Sequence, residues 1–493
     1  MSRGSARPSL PDGPGLVLGL GEAGQAAVRA LAARRGAECV RVWDDSQSND
    51  VRAARRSLAA MGVSIPVDEE RALNGAGFVV KSPGVPLENS MLEAASRADI
   101  LVVDELELAW RMSSWPVAAV TGTNGKSTTA TLVYAVLSAG GANPILAGNV
   151  ESYRGLSAAS AVPPDHDGWV AAEVSSYQLL GTPAFLPDAA VLTNLTPDHL
   201  NRHRTMAEYA DAKRRAFVRG DRAVELAVLN ADDDLGQRLA KEVAERGGRV
   251  LTFGQSPNAA YRIRSWQSSL YDGRHELEAP DGSISIETRL PGRHNAANVA
   301  AAIALADGLA LAREPVYEAV AEMVPLPGRF EPVDEGQPFD VVVDFALSVD
   351  AVNRVLETAR DLAEPRGGRV IAVMGAIGRS HRPTRELTGE AAREGADRLI
   401  LCGSSMRGEP PMIALEGLLT GARDAEGGEL EVVLDRRAAI RRALELAEPG
   451  DLVAILGRGG LPTMAYDARG GSGPFDDREV ARELLLELDA RGA

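Results

Sequence analysis

The segment Thr-Gly-Thr-Asn-Gly-Lys-Ser-Thr at 121–128 has the chemistry to hold a chain of phosphates. Gly122 and Gly125 carry no side chain to keep an anion away, so the backbone N–H groups of Thr123, Asn124 and Gly125 can approach phosphate oxygens. Lys126 adds a cation, the hydroxyl of Ser127 can ligate magnesium, and Thr128 continues the polar run into the next helix. The segment departs from the general phosphate-loop pattern, because Gly122 stands three residues before Gly125 instead of five. A plain glycine-rich turn is the alternative, but the order of apolar strand, loop, Lys-Ser and amphipathic helix favours phosphate.

Further polar residues stand where open α/β sheets place ligands, at the ends of strands. Glu173 ends Trp-Val-Ala-Ala-Glu, and His199 follows the strand at 189–194 by a few residues. Alone, the first reads as a capping carboxylate and the second as a surface imidazole. Lys213 lies two turns into a helix that Thr205 and Glu208 begin as a capping box, where a lysine is ordinarily solvated. A dinucleotide-type fingerprint, Gly-Leu-Gly-Glu-Ala-Gly at 19–24, follows the first strand, and Asp44 closes the next one. It predicts a nucleotide phosphate at the first helix N-terminus. A nicotinamide cofactor is disfavoured, since a phosphate loop follows in the same chain.

Three units must position these residues. With 493 residues the chain exceeds what one core organises. Apolar strands alternate with helical stretches over 15–114, again over 115–326, and again over 327–493, which signals parallel sheets with crossover helices. The fold class expected is α/β in three domains: a Rossmann-like first domain, a central phosphate-loop ATPase-like domain with a mostly parallel sheet, and a Rossmann-like third. Residues 1–14 read as a flexible tail, and Asp272-Gly273 as a hairpin signal.

Composition narrows the function. A net charge of −16 opposes general attraction to nucleic acid or anionic lipid, so any phosphate site must be local. No apolar run approaches the roughly 20 residues of a membrane span, and the first residues lack the apolar block of a secretory signal. Only Cys39 and Cys402 are present, expected as buried strand residues; this fits a reducing, cytoplasmic setting and excludes a cysteine-built zinc site.

Taken together, Thr-Gly-Thr-Asn-Gly-Lys-Ser-Thr, Glu-Val-Ser-Ser-Tyr-Gln-Leu at 173–179, Asn-Leu-Thr-Pro-Asp-His-Leu-Asn-Arg-His at 194–203 and Pro-Gly-Arg-His-Asn-Ala-Ala-Asn-Val at 291–299 resemble the Mur ligase family. The resemblance implies a monomeric ATP-dependent ligase of peptidoglycan precursor synthesis that joins an amino acid to the carboxylate of a UDP-linked muramoyl precursor. It implies that Lys126 and the loop at 122–128 hold the ATP phosphates, that Ser127, Glu173 and His199 serve two magnesium ions, and that Lys213 is carbamylated. By the same resemblance Asn295 and Asn298 flank the adenine, and Arg329 and Asp344 reach ATP from the third domain. The UDP would rest on Gly21, Asp44, Ser82 and Gly84, with Asn149 facing the muramoyl part.

The first third resembles the member that adds D-glutamate to UDP-N-acetylmuramoyl-L-alanine, and that is the activity expected first. The last third is more similar to the member adding diaminopimelate or lysine. Even there the usual Asp-Tyr-Ala-His-Thr-Pro is replaced by Asp344, Phe345, Ala346, Leu347, Ser348 and Val349, and an Asn-Pro-Arg motif is not evident near 403–408. A paralogue making a different amide, and a non-catalytic nucleotide-binding regulator, therefore stay open.

Overall fold

The computed structural model describes residues 7–149, 156, 158–200, 202–376, 379–405, 409–465 and 471–492. Val150 and Glu151, the departure after Asn149, lie outside them, as do the first six residues of the expected tail and 406–408 of the amino-acid motif region. From Arg7 onward that leading segment is tied down rather than free. The Arg7 guanidinium donates to the carbonyls of Trp110, Ser113 and Trp115 and lies over both tryptophan rings.

Short apolar runs form strands buried on both faces, as parallel sheets require. In the first domain Gly15–Leu18 pairs in parallel with Val40–Trp43 and Phe78–Lys81, and Leu101–Asp104 follows at the edge. The central sheet runs Ile145–Gly148, Val170–Glu173, Val117–Thr121, Ala189–Leu192, Leu226–Asn230 and Arg249–Gly254, all parallel. Tyr261–Ser268 continues it, and Gly273–Ala279 and Gly282–Thr288 add antiparallel strands. In the third domain Asp340–Asp344, Leu452–Leu456, Val370–Gly375, Arg398–Cys402 and Glu429–Val432 are parallel, with Glu331–Pro332 antiparallel at one edge. This is α/β architecture with three separate, mostly parallel sheets, as the strand-helix alternation predicted.

The helix Lys126–Ala139 is apolar on most of its surface because it lies inside the central domain. Leu132, Val133, Val136 and Leu137 are fully buried against Val299, Ile303 and their neighbours on Arg293–Gly308. Cys402 ends a buried strand, whereas Cys39 sits in a short helical turn and is half-buried, contrary to expectation.

The first and central domains are joined through buried charge. Lys81 Nζ lies 3.1 Å from Asp104 Oδ2, both fully buried, and Asp104 N donates to the Gly181 carbonyl across the joint. On the following helix, Glu105–Met112, the Glu107 carboxylate accepts from Ala184 N and Phe185 N and pairs with Arg111. Breaking one such buried partner leaves an uncompensated charge, which holds the joint rigidly.

A second buried group ties stability to pH. His275 on Gly273–Ala279 is completely buried, with Nε2 3.1 Å from the Thr288 hydroxyl, and burial pushes its imidazole down to about 4. The folded chain keeps it neutral where the unfolded chain, with an ordinary histidine near 6.5, binds a proton. That stability is therefore complete above about pH 6.5 and drains away as pH falls toward about 4, by about 2 kcal/mol at about pH 5. In urea unfolding, His275→Gln is expected to lose about 2 kcal/mol less than the parent between about pH 7.5 and about pH 5.

Candidate active site

A cavity of about 420 Å³ opens between the central and third domains, at the C-terminal ends of their parallel strands. The loop at 122–125 forms its floor and is pinned from behind. Asn194 accepts from Asn124 N through Oδ1 at 2.9 Å and donates to the Asn124 carbonyl through Nδ2 at 3.0 Å. The Thr193 hydroxyl donates to the same carbonyl at 2.7 Å, Lys126 Nζ to the Thr123 carbonyl at 2.7 Å, and Lys213 Nζ to the Gly122 carbonyl at 2.5 Å. Gly125 caps the helix in a left-handed conformation, φ +80°, with no side chain accepting from the first turn. The N–H groups of Lys126, Ser127 and Thr128 thus lack intrahelical acceptors and carry the positive end of the helix dipole, which is the chemistry of an anion cradle.

Around this floor the structure gathers Glu173, Asn149, His199, Asn295, Asn298, Arg329 and Asp344. Glu173 is buried; Oε1 accepts from Asn149 Nδ2 at 3.3 Å, while Oε2 is buried without a hydrogen-bond partner. A buried carboxylate oxygen left open in this way suits a hard cation. Magnesium needs only one or two protein oxygens when phosphates and water complete its shell. Among the described residues no three His, Cys, Asp or Glu side chains cluster as a self-sufficient metal site. His199 sits in the left-handed region, φ 54°, a strained backbone for a non-glycine residue, with Nδ1 3.0 Å from the Tyr177 hydroxyl and Nε2 3.6 Å from Asp198 Oδ2.

Lys213 does not take the solvated position usual for a lysine. It is buried beneath the loop, its Nζ 4.5 Å from the Tyr209 ring centre. Burial, then the charge of Lys126, hold its amine well below the ordinary lysine range. Burial also lowers Lys126, although Glu173 and Asp198 oppose the shift. Asn298 donates to Asn295 Oδ1 at 2.9 Å and accepts from the Thr129 hydroxyl at 3.1 Å, fixing both asparagines on one wall. From the third domain Arg329 lies over Phe345 at 4.7 Å, and Asp344 accepts from Phe330 N and Ala346 N, both at 2.7 Å.

A second cavity, of about 640 Å³, lies on the first domain and is lined by Gly21, Asp44, Ser82, Gly84 and Asn149. Asp44 Oδ2 accepts from Leu20 N at 2.7 Å, Oδ1 accepts from Ser46 N at 2.8 Å, and Ser82 donates to the Gly19 carbonyl at 2.9 Å. These bonds shape the glycine-rich turn. Asn149 lines both cavities, so they meet at its side chain.

The model of the Mur ligase middle domain matches residues 120–306, that of the Mur ligase glutamate ligase domain 328–459, and that of the MurD-like N-terminal domain 14–104. A Solibacter usitatus protein named UDP-N-acetylmuramoyl-L-alanyl-D-glutamate–2,6-diaminopimelate ligase is 38% identical over 389 residues, 75% of this chain and 77% of the relative. The like-named Streptomyces coelicolor protein is 35% identical over 454 residues, 84% and 88% of the two. The chain belongs to the Mur ligase family. The crystal structure of UDP-N-acetylmuramate–alanine ligase from Thermotoga maritima shares the fold, with TM-score 0.61, 19% identity and coverage of 97% and 99%. MurF from Acinetobacter baumannii gives 0.60, 15%, and 89% of each chain.

These relatives overturn the expectation of D-glutamate addition. That expectation rested on the first domain, whose turn, Asp44 and Ser82 line a cavity of their own and carry no information about the incoming amino acid. Sequence reading also missed residues of this Mur ligase that only folding brings in. Asp198 enters from the loop after the strand Ala189–Leu192, and Tyr177 from a helix begun by a full Ser175–Gln178 capping box. At Thr205 the box is half made: Glu208 N bonds the Thr205 hydroxyl, but the Glu208 carboxylate accepts from Arg204 N.

Asp350 was missed as well, and it bridges the cavity. Its Oδ2 accepts from Asn124 Nδ2 at 2.6 Å, while the Ser348 hydroxyl donates to Asn124 Oδ1 at 3.3 Å, so the loop is tied to the third domain from both ends of one amide. A hydrogen bond to a charged group contributes about 1.5 kcal/mol or more. Asp350→Ala is expected to raise KM for ATP about tenfold, and small-angle scattering should show a more open molecule.

Proposed function

We propose that the chain activates the free carboxylate of UDP-N-acetylmuramoyl-L-alanyl-D-glutamate with ATP and couples it to diaminopimelate, releasing ADP and phosphate. One observation supports this reading above the others: the nucleotide-type cavity of the first domain and the phosphate-cradle cavity meet at Asn149, whose side chain bonds Glu173. A UDP-linked acceptor seated in the first would extend its distal carboxylate toward the second. The relatives supply the acceptor and the amine, being named for diaminopimelate addition.

The chemistry follows from the poor electrophilicity of a carboxylate, from which an amine would have to expel oxide. The acceptor carboxylate attacks the γ-phosphorus of ATP, ADP leaves, and the acyl phosphate is then attacked by the amine, with phosphate as the leaving group. The N–H groups of Lys126, Ser127 and Thr128 and the Lys126 ammonium hold the phosphates in line, and Arg329 brings positive charge from the opposite wall. Ser127, Glu173, His199 and Lys213, once carbamylated, would hold magnesium, which would supply neutralisation of the phosphate charge. The environment of Lys213 favours the modification. A lysine whose amine burial holds well below its ordinary range more readily offers the lone pair that adds to carbon dioxide, and loss of a proton leaves a carbamate whose oxygens suit magnesium where an ammonium would repel it.

Phosphate release and product mass should be measured with a panel of amino acids and UDP-linked acceptors. Turnover that needs the muramoyl dipeptide together with diaminopimelate supports the reading; a different amine as the sole product, or no turnover with any pair, ends it. Lys126→Ala is expected to lower turnover by about 10³-fold without loss of helical signal in circular dichroism.

Carbamylation has its own test. Turnover is expected to fall in carbon-dioxide-depleted buffer and to return with bicarbonate. A carbon-13 carbamate signal from labelled bicarbonate should vanish in Lys213→Ala, and its presence in that variant would assign the carbamate elsewhere.

A further inference from the structure

On the central domain, away from both cavities described above, the short hairpin Val218–Arg219 and Arg222–Ala223 sets Arg219 and Arg222 directly opposite each other. Like charges facing across an antiparallel pair destabilise it. Arg214 and Arg215, at the end of the helix Met206–Arg214, face the same concavity of about 650 Å³, in which Asp211 is the one carboxylate among the described lining residues.

Partners divide these four arginines into two kinds. Arg214 Nε donates to Glu242 Oε2 at 2.8 Å, and Arg215 Nε lies 3.5 Å from Asp211 Oδ2. The negative end of the helix accounts for this pair as ordinary capping charge. Arg219, by contrast, donates only to neutral oxygens, the Phe185 carbonyl at 3.1 Å and the Thr182 hydroxyl at 2.5 Å, and Arg222 makes no side-chain hydrogen bond or ion pair among the described residues. Burial and then the charge of Arg215 press the Arg219 guanidinium below its usual range. Glu107 and Asp211 oppose that shift from a distance, but neither facing guanidinium forms an ion pair among the described residues, and in a chain with 69 acidic against 53 basic residues a scarcity of acids does not explain this.

We propose that this concavity is a second anion site, taking a small phosphate-bearing molecule between Arg215, Arg219 and Arg222. Planar guanidinium forks that converge from a helix end and a hairpin suit bidentate contact with phosphate oxygens, and the volume is that of a small-molecule pocket. The site stands independently of the ligase reading. Its place gives it a route to the reaction centre: Arg214 follows Lys213 on one helix, and the lining residue Ala184 is held through its N–H by Glu107 of the first domain.

Inorganic pyrophosphate is the probe, titrated by calorimetry into the full-length Lys126→Ala protein, in which the nucleotide loop has lost its cation. One pyrophosphate site is expected to remain, with affinity falling steeply as salt rises. Adding Arg222→Glu should weaken it at least tenfold, and because this substitution places opposite charges across the hairpin, the thermal midpoint should not fall. Arg222→Gln, which removes the charge alone, is the second variant and should also bind more weakly. No binding by Lys126→Ala, or unchanged affinity in either folded Arg222 variant, overturns the proposal.

Discussion

Everything in the central cavity depends on a loop whose carbonyl side is saturated. The carbonyls of Gly122, Thr123 and Asn124 accept from Lys213, Lys126, Thr193 and Asn194, groups drawn from three stretches of chain. With that side committed, the start of the next helix can face its N–H groups only into the cavity. The geometry leaves no room for a side chain at the turn. A Cβ on Gly122, at φ +153°, would stand 1.8 Å from the Thr193 hydroxyl, and one on Gly125 would stand 2.5 Å from Asn298 Oδ1. Glycine here is thus a consequence of how tightly the loop is backed.

The same backing explains why two lysines share one small space. Burial lowers both amines, the charge of Lys126 presses Lys213 further down, and both are spent on carbonyls of the loop while Glu173 and Asp198 oppose the shift. A buried amine and an open Glu173 oxygen in one small space are costly in an empty protein, and an occupant that supplies compensating charge offsets that cost. The cavity is therefore built for a charged occupant, and the third domain, tied to Asn124 through Ser348 and Asp350, completes its wall.

How much of this could be read from sequence follows from how local each constraint is. The loop at 121–128 was legible because strand, glycines, Lys126 and Ser127 lie within one turn of chain and need no partner to declare their chemistry. The three-unit architecture was legible because buried strands and crossover helices alternate in plain apolar runs. Asp198, Tyr177 and Asp350 were not, since a loop carboxylate, or a phenol or carboxylate in a first helical turn, looks like any solvated group until folding sets it against His199 or Asn124. The leading segment misled for a similar reason: Arg7 looks like tail composition, yet folding sets it over Trp110 and Trp115, about a hundred residues away in the chain. The amine donor misled because the clearest motif of the first domain shapes that domain's own cavity and is silent about what is added at the far end.

The altered third-domain motif finds its explanation in backbone anchoring. Asp344 holds Phe330 N and Ala346 N, while the Ser348 hydroxyl accepts from Ala351 N to cap the helix Val349–Ala363 and donates to Asn124. Both ends of the segment are thus fixed by main-chain contacts that do not involve the residue between them. Leu347 can replace a histidine there without moving the loop, changing only the polarity of the cavity lining it joins. A chain drifting toward a purely nucleotide-binding role would have no reason to keep Asp344 and Ser348 so placed. Asp344 and a hydroxyl at 348, both making these contacts around a changed centre, argue for a ligase whose cavity lining differs while the wall still closes on Asn124.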